Sequence, residues 1–426
     1  MAILHREEIY ITAWEDSYDE SRNWIDINED SIAAPWDDWM RAELSLQKVL
    51  MHMALGEEAN TGISCRALFR QINRVTDYDP TFAPITKCRG MANVLVGIVR
   101  LRYAWIMEFL GYEGSISQGI ALLDEAARGD FRQEEAGITL ALCHAYLLSD
   151  RSTAIEQLQP LAEQMPGSKL VAYFMAHLWL KNHGADSAAA YISQIERLDS
   201  TDAYLGLPHI DYWKAEIALQ RANYSEAIGH YDAEHHTDEQ GFVKDRWYKS
   251  GLCHYLAGNQ GKADAMLQKC YSTGNTSTSP DRYAASQAQS GLWPHKLITK
   301  ARHASDGGYL ERAEQLLASV DSTSLSKDVE LLEYHYRLAR LYDLQKMPEK
   351  ALATYDKVIA YSNSERLDSY YFAASANYYA GRIAQQLGDP DLARSYYKAV
   401  FNYSDNPYSH SLENKALLAV KRMDER

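Results

Sequence analysis

Eight side chains in the sequence stand where binding chemistry could be done: Tyr173, Tyr212, Tyr248, Tyr336 and Tyr378, and Arg302, Arg340 and Arg382. A row of tyrosines can pack aliphatic ligand groups and hydrogen-bond a peptide backbone at low entropic cost, because each ring carries a polar tip on an apolar body. The same residue type also serves as a helix-packing residue, and the sequence leaves both roles open. A guanidinium fork matches a carboxylate in shape and charge, so three arginines at equivalent positions suit an acidic peptide or a carboxylate. Local pairing with neighbouring acids is the other reading.

Reaction chemistry is harder to find. Gly111-x2-Gly114-x4-Gly119 has glycine spacing but lacks the Lys-Ser/Thr that would grip phosphate and magnesium, and reads as a tight turn before a helix. Neither a Gly-x-Ser-x-Gly elbow nor a His-Glu-x2-His helix occurs. His230, His235, His236, Asp238 and Glu239 could offer metal ligands, yet a solvated linker gives the same composition. The five cysteines, Cys65, Cys88, Cys143, Cys253 and Cys270, form no CxxC pair, and an odd number argues for buried, unpaired thiols rather than a disulfide framework. The expectation is a protein that is not an enzyme and needs no metal or cofactor.

These residues need elements to hold them. The 426 residues are 46% hydrophobic and 24% charged, enough for a large core. Forty-three Lys and Arg against 58 Asp and Glu leave a net charge of −15, which disfavours nucleic acid and anionic membrane as partners. The longest apolar region, Met91 to Leu110, is broken by Arg100, Arg102 and Glu108, so no membrane span is expected. The chain starts without a visible export segment, which implies a cytoplasmic protein, or a periplasmic or outer-membrane associated one if a leader has been removed.

Self-similarity supplies the architecture. Small residues recur at Gly119, Ala154, Ala188, Ala227, Ala263, Ala313, Ala351 and Ala393, with separations of 35, 34, 39, 36, 50, 38 and 42. Two antiparallel helices approach closely only where a small residue sits at their crossing, so Ala215, Gly251, Ala339 and Gly381 on first helices should face Ala227, Ala263, Ala351 and Ala393 on second ones. Turns are marked by Leu256-Ala257-Gly258-Asn259, Asp306-Gly307-Gly308 and Leu387-Gly388-Asp389-Pro390. In this register the five tyrosines share one first-helix position, and the three arginines lie four residues on, one turn along the same face.

Trp247-x2-Ser250-Gly251-x2-His254-x3-Gly258-x4-Ala263-x3-Leu267, and Ala380-Gly381-x2-Ala384-x3-Gly388-x4-Ala393-x3-Tyr397, resemble the tetratricopeptide repeat (TPR) pattern. More particular elements are Trp105-x4-Leu110-Gly111-x2-Gly114-Ser115-Ile116 and Pro407-Tyr408-x2-Ser411, which with Phe82-Ala83-Pro84 and Tyr336-Arg337-Leu338-Ala339 resemble TPR proteins of Bacteroidota. The resemblance implies a helical scaffold without known catalysis, often in exported proteins. The Lys/Asn carboxylate clamp of chaperone-binding TPR domains is not matched, because Tyr stands at its Lys position.

The fold expected is an all-α, right-handed superhelical solenoid of TPR-like helix-turn-helix repeats with an irregular helical N-terminal cap. Residues 1–86 form an acidic, Trp-rich cap; 87–271 and 301–426 carry repeats; 272–300 is a polar loop and extra helix. The first 60 residues hold fourteen acids against four basic residues, with Trp14, Trp24, Trp36 and Trp39 interleaved. Such a segment could cap the solenoid or dock on a basic partner. The function expected is a non-catalytic scaffold holding a protein or peptide partner in the concave groove, with the eight residues above as contacts. The alternative is binding of a small molecule or glycan.

Overall fold

In the computed structural model, residues 8–98, 114–199, 207–233, 242–276, 278–323, 325, 328–403, 406 and 408–424 are described. Every regular element among them is helical. The chain divides into two compact units, one extending to Met165 and the other Pro166–Asp424.

The first unit contains α1 (Glu8–Asn28), α2 (Trp36–Leu55), α3 (Glu58–Tyr78), α4 (Thr86–Ile98), α5 (Ile116–Arg128), α6 (Gln133–Leu142) and α7 (Arg151–Gln164). Consecutive helices pair as α2 with α3 and α4 with α5. The α4–α5 crossing is glycine against glycine: a Cβ on Gly119 would meet the Gly90 carbonyl at 2.7 Å. Trp36 and Trp39 pack edge-on against Phe82 and Phe131 respectively; Trp39 is half-buried, whereas Trp36 stays partly exposed and Trp24 more so.

The second unit contains α8 (Lys169–Lys181), α9 (Ala185–Asp199), α10 (Ile210–Gln220), α11 (Tyr224–Ala233), α12 (Val243–Leu256), α13 (Gln260–Ser272), α14 (Ser279–Ser290), α15 (Lys296–Asp306), α16 (Leu310–Ala318), α17 (Asp328–Leu344), α18 (Pro348–Glu365), α19 (Tyr371–Gln386), α20 (Pro390–Ala399) and α21 (Ser409–Asp424). The pairs are α8/α9, α10/α11, α12/α13, α15/α16, α17/α18 and α19/α20, with α14 inserted and α21 closing the series. Ala188, Ala227, Ala263, Ala313, Ala351 and Ala393 are all fully buried. A side chain at Gly251 would press on the Ala263 carbonyl, and one at Gly381 on the Tyr397 ring. Small residues therefore set the approach of each pair, and larger ones fill the flanks.

Each pair turns through one left-handed residue, at His183, Ala222, Gly258, Gly308, Lys346 and Gly388. At all six, the next amide bonds the carbonyl five residues back, as in Asn259 to His254 and Asp389 to Ala384, a Schellman closure that satisfies the helix end. Three of these residues are not glycine, and the turns at Ala222 and Lys346 contain no glycine at all.

Candidate functional site

The second unit encloses a cavity of about 300 Å³ between first helices. Its walls come from α8, α10, α12, α14 and α15, and Tyr408, just before α21, reaches it from a distant part of the chain.

One wall is an ion network. Lys249 on α12 lies 2.8 Å from both Glu216 on α10 and Asp245 on α12. The Lys249 ammonium also donates to the Tyr212 hydroxyl at 2.8 Å, and that hydroxyl donates to Asp245 at 2.6 Å. Tyr231 donates to Glu216 from behind. Burial pushes the Glu216 carboxyl up, but the charges of Lys249 and Lys181 and the hydrogen bonds from Lys249 and Tyr231 together outweigh it and hold the group at about 2. Burial, then Asp245, drives the Tyr212 hydroxyl well above its ordinary range. The network is internally satisfied and holds one cation against two carboxylates.

The facing wall is not satisfied. The Arg302 side chain is 24% exposed, and its Nε approaches Asp306 no closer than 3.7 Å. Its guanidinium lies 5.7 Å from the Tyr283 ring centroid. Among the described residues no hydrogen bond reaches its nitrogens, although a guanidinium carries five donors. Beside it, His303 is 7% exposed and its Nε2 has no hydrogen-bond partner; the Oε1 of Gln220, which also lines the cavity, is likewise buried and unpartnered. Burial, reinforced by Arg302, lowers His303 to about 3, so the ring is neutral at pH 7. Tyr283, Tyr371 and Tyr408 form a mutual aromatic cluster, with centroids 5.1 to 6.2 Å apart. Burial pushes the Tyr283 hydroxyl up to about 12.

Of the eight residues singled out by spacing, Tyr212, Tyr248 and Arg302 line this cavity. Tyr248 packs between Tyr283 and Trp293. Tyr173 packs at a tilt against Trp213, Tyr336 against Phe372 and edge-on against Tyr371, and Tyr378 edge-on against Tyr379 and at a tilt against Tyr397. All five tyrosines are at most 5% exposed. Arg340 donates to Asp343 at 2.6 Å and covers the Tyr379 ring, which Arg382 also flanks. Glu216, Asp245, Lys249, Tyr283, His303 and Tyr408 escaped the repeat register. Lys249 and His303 each follow a register residue directly, and only the packing of neighbouring pairs turns them to the same space.

Five free thiols are present; four are buried and Cys65 is half-buried. Burial raises Cys65 to about 11 and Cys143 to about 12, which leaves them as poor nucleophiles. Among the described residues no group of three His, Cys, Asp or Glu could hold a metal ion, and His235, His236, Asp238 and Glu239 lie outside them. No helix among the described residues is long and apolar enough to cross a membrane.

The chain is thus an all-α helical-repeat solenoid. Residues 333–364, on α17 and α18, match the family model described as tetratricopeptide repeat, in accord with a TPR protein. Among curated proteins none matches the chain in sequence. Solved structures similar to it include the TPR domain of P58(IPK), 15% identical over 89% of this chain and 99% of that one, with a TM-score of 0.24. Yeast Tom70 is 11% identical over 100% and 96%, with a TM-score of 0.28. A monomeric mutant of IFIT1 with m7Gppp-AAAA is 13% identical over 90% and 94%, with a TM-score of 0.30.

Proposed function

We propose that the second unit holds a peptide segment of a partner protein in the cavity between α10, α12 and α15, with an acidic group of that segment on Arg302. A helical-repeat fold supports a protein-interaction scaffold in general. The observation that carries the finer reading is Arg302 itself: a guanidinium three-quarters withdrawn from water, facing a cavity, with no hydrogen bond to its nitrogens among the described residues. An unmet donor set of that kind costs free energy unless a ligand supplies the acceptors. The neighbouring Tyr212 and Tyr248 rings give the segment apolar surface, while the closed Lys249 network keeps its own acids away from the incoming carboxylate. Arg340 and Arg382 do not line this cavity and already lie against Tyr379, so neither is given a contact with the segment.

The test is selection of a random peptide library on the full chain, wild type against Arg302→Gln, with Arg382→Gln as the comparison. Enrichment of peptides carrying Asp, Glu or a C-terminal carboxylate at one fixed position, lost at least tenfold in Arg302→Gln and retained in Arg382→Gln, supports the reading. Enrichment that survives Arg302→Gln, or none at all, overturns it.

A further inference from the structure

The first unit holds a groove that the segment's overall charge hides. It has a volume of about 430 Å³ and lies between α1, α2 and α3. Arg22, Arg41, Lys48 and Arg70 line it together with His52, and no carboxylate does. The first 60 residues have only four basic side chains against fourteen acids. Three of those four converge on this one groove.

Like charges brought together repel, and most of these have only partial answers. Arg41 is held by Asp26 at 2.6 Å and by Glu29 at 3.8 Å, from outside the groove lining. Arg22 reaches Asp26 at 3.9 Å, and His52 reaches Glu57 at 3.8 Å while its Nδ1 meets the Ser64 hydroxyl at 3.1 Å. Among the described residues Lys48 has no carboxylate partner, and it leans over the Tyr18 ring, 4.8 Å from its centroid. For Arg70, which is exposed, the described residues provide no ion pair or hydrogen bond. A second observation comes from the wall behind. Gln71, 7% exposed, also lines the groove, and its buried Oε1 has no hydrogen-bond partner. An acceptor left in that state needs a donor. The remaining wall, Leu44, Ala67 and Ile63, is apolar, and Ile63 is 70% exposed.

We infer that this groove binds a small phosphorylated, hydroxyl-bearing molecule of the sugar-phosphate kind. A phosphate monoester carries close to two negative charges and three acceptor oxygens near neutral pH, which answers several cations where a single carboxylate would answer one. A ligand hydroxyl supplies the donor that Gln71 lacks, and carbon skeleton covers Leu44 and Ala67. The site is independent of the peptide cavity in the second unit.

The experiment is isothermal titration calorimetry on the full chain with glucose 6-phosphate, inorganic phosphate and glucose, in chloride buffer of constant ionic strength. The variants are Lys48→Gln/Arg70→Gln, whose side chains hold no other group by an ion pair or hydrogen bond, and Arg74→Gln on α3. Arg74 pairs with Asp38 at 3.4 Å and lies outside the groove lining. Saturable binding of glucose 6-phosphate, weaker binding of inorganic phosphate and none of glucose are expected. Affinity should fall about tenfold or more in the double variant and change less than about twofold in Arg74→Gln. Unchanged helicity by circular dichroism shows that the double variant is folded. Absence of saturable binding to either phosphate compound overturns the inference. So does equal affinity in the double variant, or in glucose lacking its phosphate. Inorganic phosphate binding as tightly as glucose 6-phosphate removes the sugar from the assignment.

Discussion

The groove of the first unit and the cavity of the second both gather cations, and they differ in what answers them. In the second unit Lys249 is enclosed by Glu216, Asp245 and Tyr212, all within 2.8 Å. In the first unit, among the described residues, Lys48 has only an aromatic ring to lean on and Arg70 has no ion pair or hydrogen bond. An enclosed charge is a structural member, since its removal strands buried partners; an open one is available to something else. The first unit also has an enclosed example, Lys87, held by Glu43 at 2.6 Å and Glu135 at 2.7 Å. Enclosure therefore follows local packing and not the unit, and net charge along the sequence reports neither.

Substitution of lysine tests that contrast most strongly. Lys249→Met should destabilise the chain by about 3–5 kcal/mol, because Glu216 and Asp245 are left buried without their cation. Lys48→Met should change stability by no more than about 1 kcal/mol. Urea unfolding at pH 7 measures both, and similar losses would erase the distinction between enclosed and open cations.

Acid should act on the second unit's cavity next. His303 falls from an ordinary value near 6.5 to about 3 on folding, so the unfolded chain binds the extra proton between those limits. Stability is then complete above about pH 6.5 and is lost as pH falls toward 3, by roughly 1.4 kcal/mol per pH unit for one proton. Glu216, lowered from 4.5 to about 2, adds a loss of the same sign at lower pH. Between pH 6.5 and 4.5 His303→Gln should therefore lose about 2 kcal/mol less stability than the wild type. Parallel pH profiles for the two proteins would show that the ring titrates freely.

The smallest effect separates two left-handed glycines. Gly308 has φ +87° and a Cβ there would sit 2.1 Å from the His183 carbonyl oxygen. Gly56, at the end of α2, has φ +75° with nothing within 4 Å. Gly308→Ala should cost at least about 2 kcal/mol and Gly56→Ala about 1 kcal/mol, the first from contact plus backbone conformation and the second from conformation alone. Equal costs measured by thermal unfolding would mean that the α8–α9 and α15–α16 turns can move apart.

Much of the helical-repeat architecture was legible because its determinants are local. Ala227, Ala263, Ala351 and Ala393 announce close crossings by their size, and all are fully buried as that spacing requires. The turns at Ala222 and Lys346 gave no such sign, since their left-handed conformation is imposed by the helix-end hydrogen bonds and not by residue type. The tyrosine register was legible as a pattern but not as a site. Tyr212 and Tyr248 line the cavity, whereas Tyr173, Tyr336 and Tyr378 are buried against other rings.

Sequence alone determined the helices, their pairing and the small residues at their crossings, because these depend on neighbours fewer than about 40 positions apart. Only the tertiary structure decided which charges meet. Arg302 and Tyr408 are 106 positions apart, Lys48 and Arg70 lie on different helices, and Lys249 finds Glu216 across two pairs. Electrostatic interaction depends on distance through space and on exclusion of water, and neither quantity is written in the order of residues.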